Sequence, residues 1–169
     1  MTGQVIVVDD EAAIREAVQQ WLELSGLHVR SCASAAQALA LIDRDFAGVV
    51  VSDVRMPGTD GLQLLDKLLE LDRDLPVILV TGHGDVPMAV QALRQGAYDF
   101  IEKPFTPERL LDSVRRALDK RRLVCENRQL REQFSRKDQI EAQLLGVSKP
   151  MENQRRQILE LAGTSVNIL

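Results

Sequence analysis

Five residues of this 169-residue chain stand where chemistry can be done: Asp9, Asp10, Asp53, Thr81 and Lys103. Each follows or closes a short apolar run, "VIVV" before Asp9-Asp10, "VVVS" before Asp53, "VILV" before Thr81 and "FIE" before Lys103. Taken singly, an acid after a strand most often caps the next helix, and a Lys-Pro pair is most often a turn. Four strand ends carrying acid, acid, hydroxyl and lysine together are not explained that way. Carboxylates crowded at one point repel and hold on to protons unless a cation joins them. Hard oxygen donors at an open site suit Mg²⁺, which keeps several waters and takes one or two carboxylates plus a phosphate. A phosphoryl group is therefore the natural missing ligand. Thr81 can hydrogen-bond one phosphoryl oxygen and Lys103 can neutralise another, which leaves Asp53 as nucleophile. Such a transfer needs little beyond alignment and charge neutralisation.

The elements that must bring these residues together are legible in the periodicity of residues 4–106. Apolar runs at Val5–Val8, Gly48–Ser52 and Val77–Val80 read as strands, His28–Cys32 is a shorter strand candidate, and Phe100–Ile101 lies in the fifth strand. Between them lie helical patterns: Ala13, Ala17, Trp21 and Leu24, stopped by Gly26; Ala38, Leu39 and Ile42 after a capping Ser34; Leu62, Leu65, Leu68 and Leu69; and Met88–Leu93, stopped by Gly96. Unbroken apolar strands are the mark of a parallel sheet covered on both faces. Five β/α pairs with short connections predict an α/β fold, a doubly wound five-stranded parallel sheet. The working site of such a sheet lies beyond the carboxyl ends of its strands, where all five residues arrive. In "VVVSDVRMPGTDG" the Pro-Gly loop is expected to turn the chain away and leave Asp53 open to a donor.

Thr106-Pro107 starts a last helix, with proline where its missing N–H costs nothing. No glycine or proline interrupts residues 108–134, so an extended helix is expected over 107–134. Leu111, Val114, Leu118, Leu123, Leu130 and Phe134 form its apolar series, and Asn127 between Leu123 and Leu130 is a polar residue of the kind that fixes register in paired helices. These residues are the candidate dimer seam. Arg121 and Arg122, set among acids, read as a solvated face. A first domain over 1–120, a polar linker over 135–147 and the start of a second domain over 148–169 complete the expected organisation.

Composition narrows the rest. Residues 1–106 carry a net charge of −8 and residues 107–169 of +4, a change of sign that suggests two modules. Aromatics make up 4% of the chain, which argues against stacking surfaces for single-stranded nucleic acid. No apolar run approaches the ~20 residues of a membrane span, and the N-terminus lacks the features of a signal peptide. Cys32 and Cys125 form no motif and read as reduced thiols. No Cys/His cluster has zinc spacing.

"VIVVDDE", "VVVSDVRMPGTDG", "VILVTGHGD" and "AYDFIEKPF" resemble, in order, the response-regulator receiver domains of two-component signalling, which have a flavodoxin-like fold. The resemblance implies Asp53 as the phosphoacceptor for a sensor histidine kinase. It implies Mg²⁺ held by Asp9, Asp10, Asp53 and the backbone carbonyl of Arg55, with Thr81 and Lys103 holding the phosphoryl group. Gly82, small, would leave that group open to the donor histidine. Lys103-Pro104 would be cis, and Phe100 would rotate inward with Thr81 on activation. Arg55 and His83 occupy positions that tune hydrolysis in the family, although for His83 a plain loop residue fits equally. Such a protein is not a conventional enzyme, since it catalyses only its own phosphorylation and dephosphorylation.

"LLGVSKPMENQRRQILELAGTSVNIL" resembles the start of the AAA+ ATPase domain of sigma-54-dependent activators. The phosphate-binding loop of such a domain would follow the last strand and does not occur in this chain, so no ATP hydrolysis is expected of it. "VTGHGDVPMAVQALRQGAYDFIEKPF" is particularly similar to regulators of C4-dicarboxylate transport. These resemblances imply a cytoplasmic homodimer, joined through the fourth and fifth helices and the linker helix. They also imply sigma-54 RNA polymerase and DNA as partners of domains beyond this chain. Phosphohydrolases of the haloacid dehalogenase type use similar residues, but their D-x-D-x-[TV] motif is not matched by Asp9-Asp10-Glu11-Ala12-Ala13. A flavin binder would need a phosphate loop after the first strand, and none is present.

Overall fold

The structure is a computed structural model that describes residues 3–83 and 86–145. Ten elements alternate: β1 (Gln4–Val8), α1 (Ala12–Leu24), β2 (His28–Cys32), α2 (Ala35–Leu41), β3 (Val49–Asp53), α3 (Gly61–Leu71), β4 (Val77–Thr81), α4 (Val86–Gln95), β5 (Asp99–Glu102) and α5 (Pro107–Leu144). The strands form one sheet in the order β2-β1-β3-β4-β5, every pair parallel. The chain leaves β1 towards β2 and returns to β3 on the other side. The carboxyl ends of β1 and β3 therefore flank the point where strand order reverses.

The apolar runs split their side chains between two cores, as the two-residue period of a strand requires. Ile6, Val8, Val50, Val77 and Leu79 face α2, α3 and α4, where they meet Ala38, Leu64, Leu65, Leu68 and Ala92. Val5, Val7, Val49, Val51, Ile78 and Val80 face α1 and α5, where they meet Val18, Leu22, Leu110, Val114 and Ala117. Each such leucine or valine contributes on the order of 1.5–3 kcal/mol by leaving water.

Helix limits follow local chemistry. Ser34 caps α2, its Oγ accepting from Gln37 N, and Asp60 and Gln63 close a reciprocal capping box at the start of α3. Gly26, at φ +85°, ends α1 in the left-handed region. Thr106 Oγ1 accepts from Arg109 N at the start of α5. The buried face of α1 differs from the expected stripe: Val18 and Leu22 are buried, whereas Leu24 is 81% exposed. Two residues beyond Leu22 lie about 200° around the helix, so both leucines cannot face the sheet.

Helix α5 departs from expectation in three ways. It runs on to Leu144, so the first ten residues of the expected polar linker at 135–147 are helical. The stretch from Ser135 to Leu145 lacks glycine and proline and is rich in good helix formers, so nothing in it stops the helix. Val114, expected in a dimer seam, is fully buried in the intramolecular core, and Leu111 and Leu118 pack partly against that core. Leu123, Leu130 and Phe134 are exposed, as is Asn127.

The third departure is Arg121, expected on a solvated face and found 0% exposed. It occupies the position after Leu110, Val114 and Ala117 on the core stripe of α5. Its Nε and Nη2 donate to the Phe46 carbonyl at 3.2 and 2.6 Å, and Nη2 pairs with Asp72 Oδ2 at 2.7 Å. Asp72 is the C-cap of α3. The ion pair thus ties α5 to the end of α3 and to the loop before β3. Near the start of α5, Asp99 of β5 accepts from Ser113 Oγ at 2.7 Å, Arg109 Nη1 at 3.0 Å and Phe100 N at 2.8 Å. Burial alone would raise the Asp99 pKa, but these bonds outweigh it and hold the carboxyl below its ordinary value.

The chain divides into two compact units, 1–125 and 126–169. The first holds the sheet and its helices. Of the second, the described residues are the remainder of α5 and Leu145, nearly all exposed. The expected second-domain segment, 148–169, lies outside the described residues. No described helix is long and apolar enough to cross a membrane.

Candidate functional site

The carboxyl edge of the sheet gathers the residues that end its strands. Asp53 closes β3, Asp9 and Asp10 follow β1, Thr81 closes β4 and Lys103 follows β5. One carboxylate oxygen from each of Asp9, Asp10 and Asp53 lies within 4.8 Å of the others. Lys103 Nζ stands 3.2 Å from Asp9 Oδ2 and 3.5 Å from Asp53 Oδ1. The Lys103 backbone N–H donates to the Thr81 carbonyl at 2.7 Å, which fixes the lysine to the end of β4. Lys103-Pro104 is a cis peptide, as expected.

The loop after Asp53 explains "VRMPGTDG". Met56 is buried and anchors the loop, and Gly58 takes φ +78°, a backbone conformation open to glycine. Gly61 N donates to the Val54 carbonyl at 2.8 Å, and a Cβ at position 61 would collide with the Asp53 carbonyl. Helix α3 therefore starts directly against the backbone of Asp53.

Asp53 was expected to be open, but it is only 7% exposed, and Asp9 5%. Asp10 is the exposed member of the three. Burial pushes the Asp53 carboxyl above the ordinary carboxylate range. Lys103 opposes that, and the negative charges of Asp9 and Asp10 add to it. An all-oxygen set of three mutually repelling carboxylates fits a hard divalent cation, whose charge would relieve both effects.

Around this cluster, Thr81 is fully buried and its Oγ1 accepts from His83 N at 3.3 Å. His83 and Arg55 are exposed, and a side chain at Gly82 would meet open space. Phe100 is half-buried against the core under α3 and α4. Arg15, which no sequence motif marks, reaches back to the site: its Nη1 donates to the Asp9 carbonyl at 2.7 Å. On the other side of Lys103, Ala13, Ile14, Ala17, Trp21, Pro104 and Phe105 line a mainly apolar groove. Cys32 and Cys125 are free, and burial raises the Cys32 thiol pKa, which makes it a poor nucleophile.

A family model described as the response regulator receiver domain matches residues 5–115. The C4-dicarboxylate transport transcriptional regulatory protein DctD of Rhizobium meliloti is 54% identical over 165 residues, 98% of this chain and 36% of that protein. The chain thus spans little more than a third of that relative's length. Among solved structures, NtrX from Brucella abortus in complex with ADP matches at a TM-score of 0.68 and 42% identity, over 77% of this chain and 30% of that one. The beryllofluoride-activated NtrC4 receiver domain dimer matches at 0.66 and 40%, over 70% of this chain and 98% of that one.

Proposed function

This chain belongs to the response regulator receiver domain family, and from that premise we propose that it takes a phosphoryl group from a sensor histidine kinase onto Asp53. The observation that carries the proposal is the three-carboxylate cluster with Lys103 set between Asp9 and Asp53. An Asp53 carboxylate oxygen attacks phosphorus, the P–N bond to the donor imidazole breaks, and the imidazole leaves with the electron pair. Asp9, Asp10, Asp53 and the Arg55 carbonyl would hold Mg²⁺, which supplies charge neutralisation at the phosphoryl oxygens when bound. Lys103 stabilises a second oxygen, Thr81 donates to a third, and Gly82 leaves room for the donor. The apolar groove beside Lys103 suits the helix that would carry the donor histidine.

Phosphorylation then acts by population shift. Thr81 follows the phosphoryl group, Phe100 fills the space left, and the face formed by residues 86–118 repacks. A few kcal/mol of preference for one state is enough for a large shift. The readout is a change in a homodimer contact made by that face and by Leu123, Asn127, Leu130 and Phe134 of α5. The likeness to DctD supports a cytoplasmic regulator of C4-dicarboxylate transport genes. In it the receiver controls an ATPase that acts on sigma-54 RNA polymerase at DNA, through domains beyond this chain.

The test is intact-mass analysis with acetyl phosphate and Mg²⁺. We expect one phosphoryl increment per chain, slow release, and none in Asp53→Asn. Rapid multiple turnover of a phosphate ester would overturn the receiver reading, and labelling retained in Asp53→Asn would identify a different nucleophile.

A further inference from the structure

The three carboxylates of the site are not held equally. Asp9 is tied on every side: its N–H donates to the Cys32 carbonyl at 3.1 Å, its Oδ1 accepts from Glu11 N at 2.9 Å and its Oδ2 from Lys103 Nζ at 3.2 Å. Asp53 is the last residue of a central strand and is paired with Val80 in the sheet. Asp10 is exposed, and among the described residues its carboxylate makes no hydrogen bond. Its direction must come from its backbone. The peptide that joins it to Asp9 is planar, so the Asp9 oxygen and the Asp10 Cα share one plane. Whatever holds that oxygen sets the direction in which Asp10 leaves the turn.

Arg15 holds it. The side chain lies on the first turns of α1, half-buried, with Nη1 2.7 Å from the Asp9 carbonyl. The Arg15 backbone N–H bonds the Glu11 carbonyl at 3.0 Å, so the arginine is itself fixed to the start of the helix. We propose that Arg15 is a positioning residue for the divalent-cation site, clamping the Asp9–Asp10 peptide so that the Asp10 carboxylate faces the other two. The proposal rests on the Mg²⁺ reading above and assigns Arg15 no contact with the cation or the phosphoryl group.

A second effect of Arg15 has the opposite sign. Its positive charge near the cluster opposes cation binding, so removing the charge alone would tighten Mg²⁺. Holding the turn favours binding, so losing the clamp would weaken it. The sign of the change therefore separates a clamp from a mere counter-charge.

The experiment is a MgCl₂ titration of the full chain, wild type, Arg15→Met and Arg15→Lys, followed by fluorescence of Trp21. Trp21 is the sole tryptophan, and its ring packs edge-on against Phe105 at 6.3 Å, two residues from Lys103. Thermal unfolding in EDTA is recorded in parallel. We expect Arg15→Met to weaken Mg²⁺ binding roughly tenfold or more, the usual effect of losing a group that orients metal ligands. Arg15→Lys should recover part of the loss. Labelling by acetyl phosphate should return to the wild-type rate at saturating Mg²⁺, which a general loss of structure would not allow. Unchanged or tighter Mg²⁺ binding in Arg15→Met would overturn the proposal. Should that variant not fold, wild-type affinity in Arg15→Lys would overturn it and weaker affinity would support it. Absence of any saturable Mg²⁺ response in the wild-type chain would overturn the cation reading and this inference with it.

Discussion

At position 53 a carboxylate is held almost out of water, beside two others and within 3.5 Å of Lys103. Its raised pKa means that burial and like-charge repulsion outweigh the lysine, so its ionised form opposes folding near neutral pH. A site poised to gain a cation is destabilised without one. Asp53→Asn keeps the shape and removes the charge, so in chelated buffer the variant should melt above wild type, as followed by calorimetry. Mg²⁺ should raise the wild-type midpoint more than that of the variant. A variant that melts below wild type would mean that Lys103 outweighs the burial. Asp9, Asp53, Thr81 and Lys103 could be picked from the sequence because each ends an apolar run. The depth of Asp53 could not, because Asp9 and Lys103, which stand beside it, arrive from the ends of other strands. Arg15 gave no signal: an arginine on the first turns of a helix usually points into water.

The part of helix α5 that packs on the sheet is held by polar groups at its start and at Arg121. Ser113 and Arg109 bind Asp99 of β5, and Arg121 binds the C-cap of α3. Between them lie Val114 and Ala117, so the helix is fastened by ion pairs as well as by apolar packing. Removing one partner of a buried ion pair leaves a charge without compensation. Arg121→Met should therefore cost about 3–5 kcal/mol in urea unfolding, and adding Asp72→Asn should recover much of that loss. If the single variant loses less than 1 kcal/mol, water reaches the site and the pair is not a true interior one. The helix itself was expected from Pro107 and the absence of breakers, but its end was placed ten residues early. Seven of the expected seam residues followed a helical period, yet the period alone could not say which faced the sheet. Val114 went to the core, and Leu123, Leu130 and Phe134 to the surface.

On the scale of the molecule, the chain joins an acidic first segment of net charge −8 to a basic second one of +4. The first compact unit carries the candidate site, and the second begins at residue 126, within α5. Exposed Leu130 and Phe134 are 55% and 67% accessible, costly for large apolar side chains unless a partner covers them. If that partner is a second copy, Leu130→Asp should shift sedimentation from dimer towards monomer. It should leave acetyl phosphate labelling of Asp53 intact, since the site lies wholly in the first unit. Wild-type sedimentation as a monomer, with and without beryllofluoride, would remove α5 as a dimer element.

The parallel sheet, its five strands and the identity of its strand-end residues were determined by the sequence alone. Unbroken apolar runs admit few other folds, and chain connectivity brings their carboxyl ends to one edge. Only the tertiary structure decided how deeply Asp53 is buried, that Arg121 enters the interior and that Arg15 turns back onto Asp9. Each depends on a group distant in sequence or lying on another element: Lys103 beside Asp53, Phe46 and Asp72 around Arg121, and the Asp9 carbonyl before α1. Local periodicity records which residues repeat, whereas burial of charge depends on whether a partner from elsewhere in the chain is there to meet it.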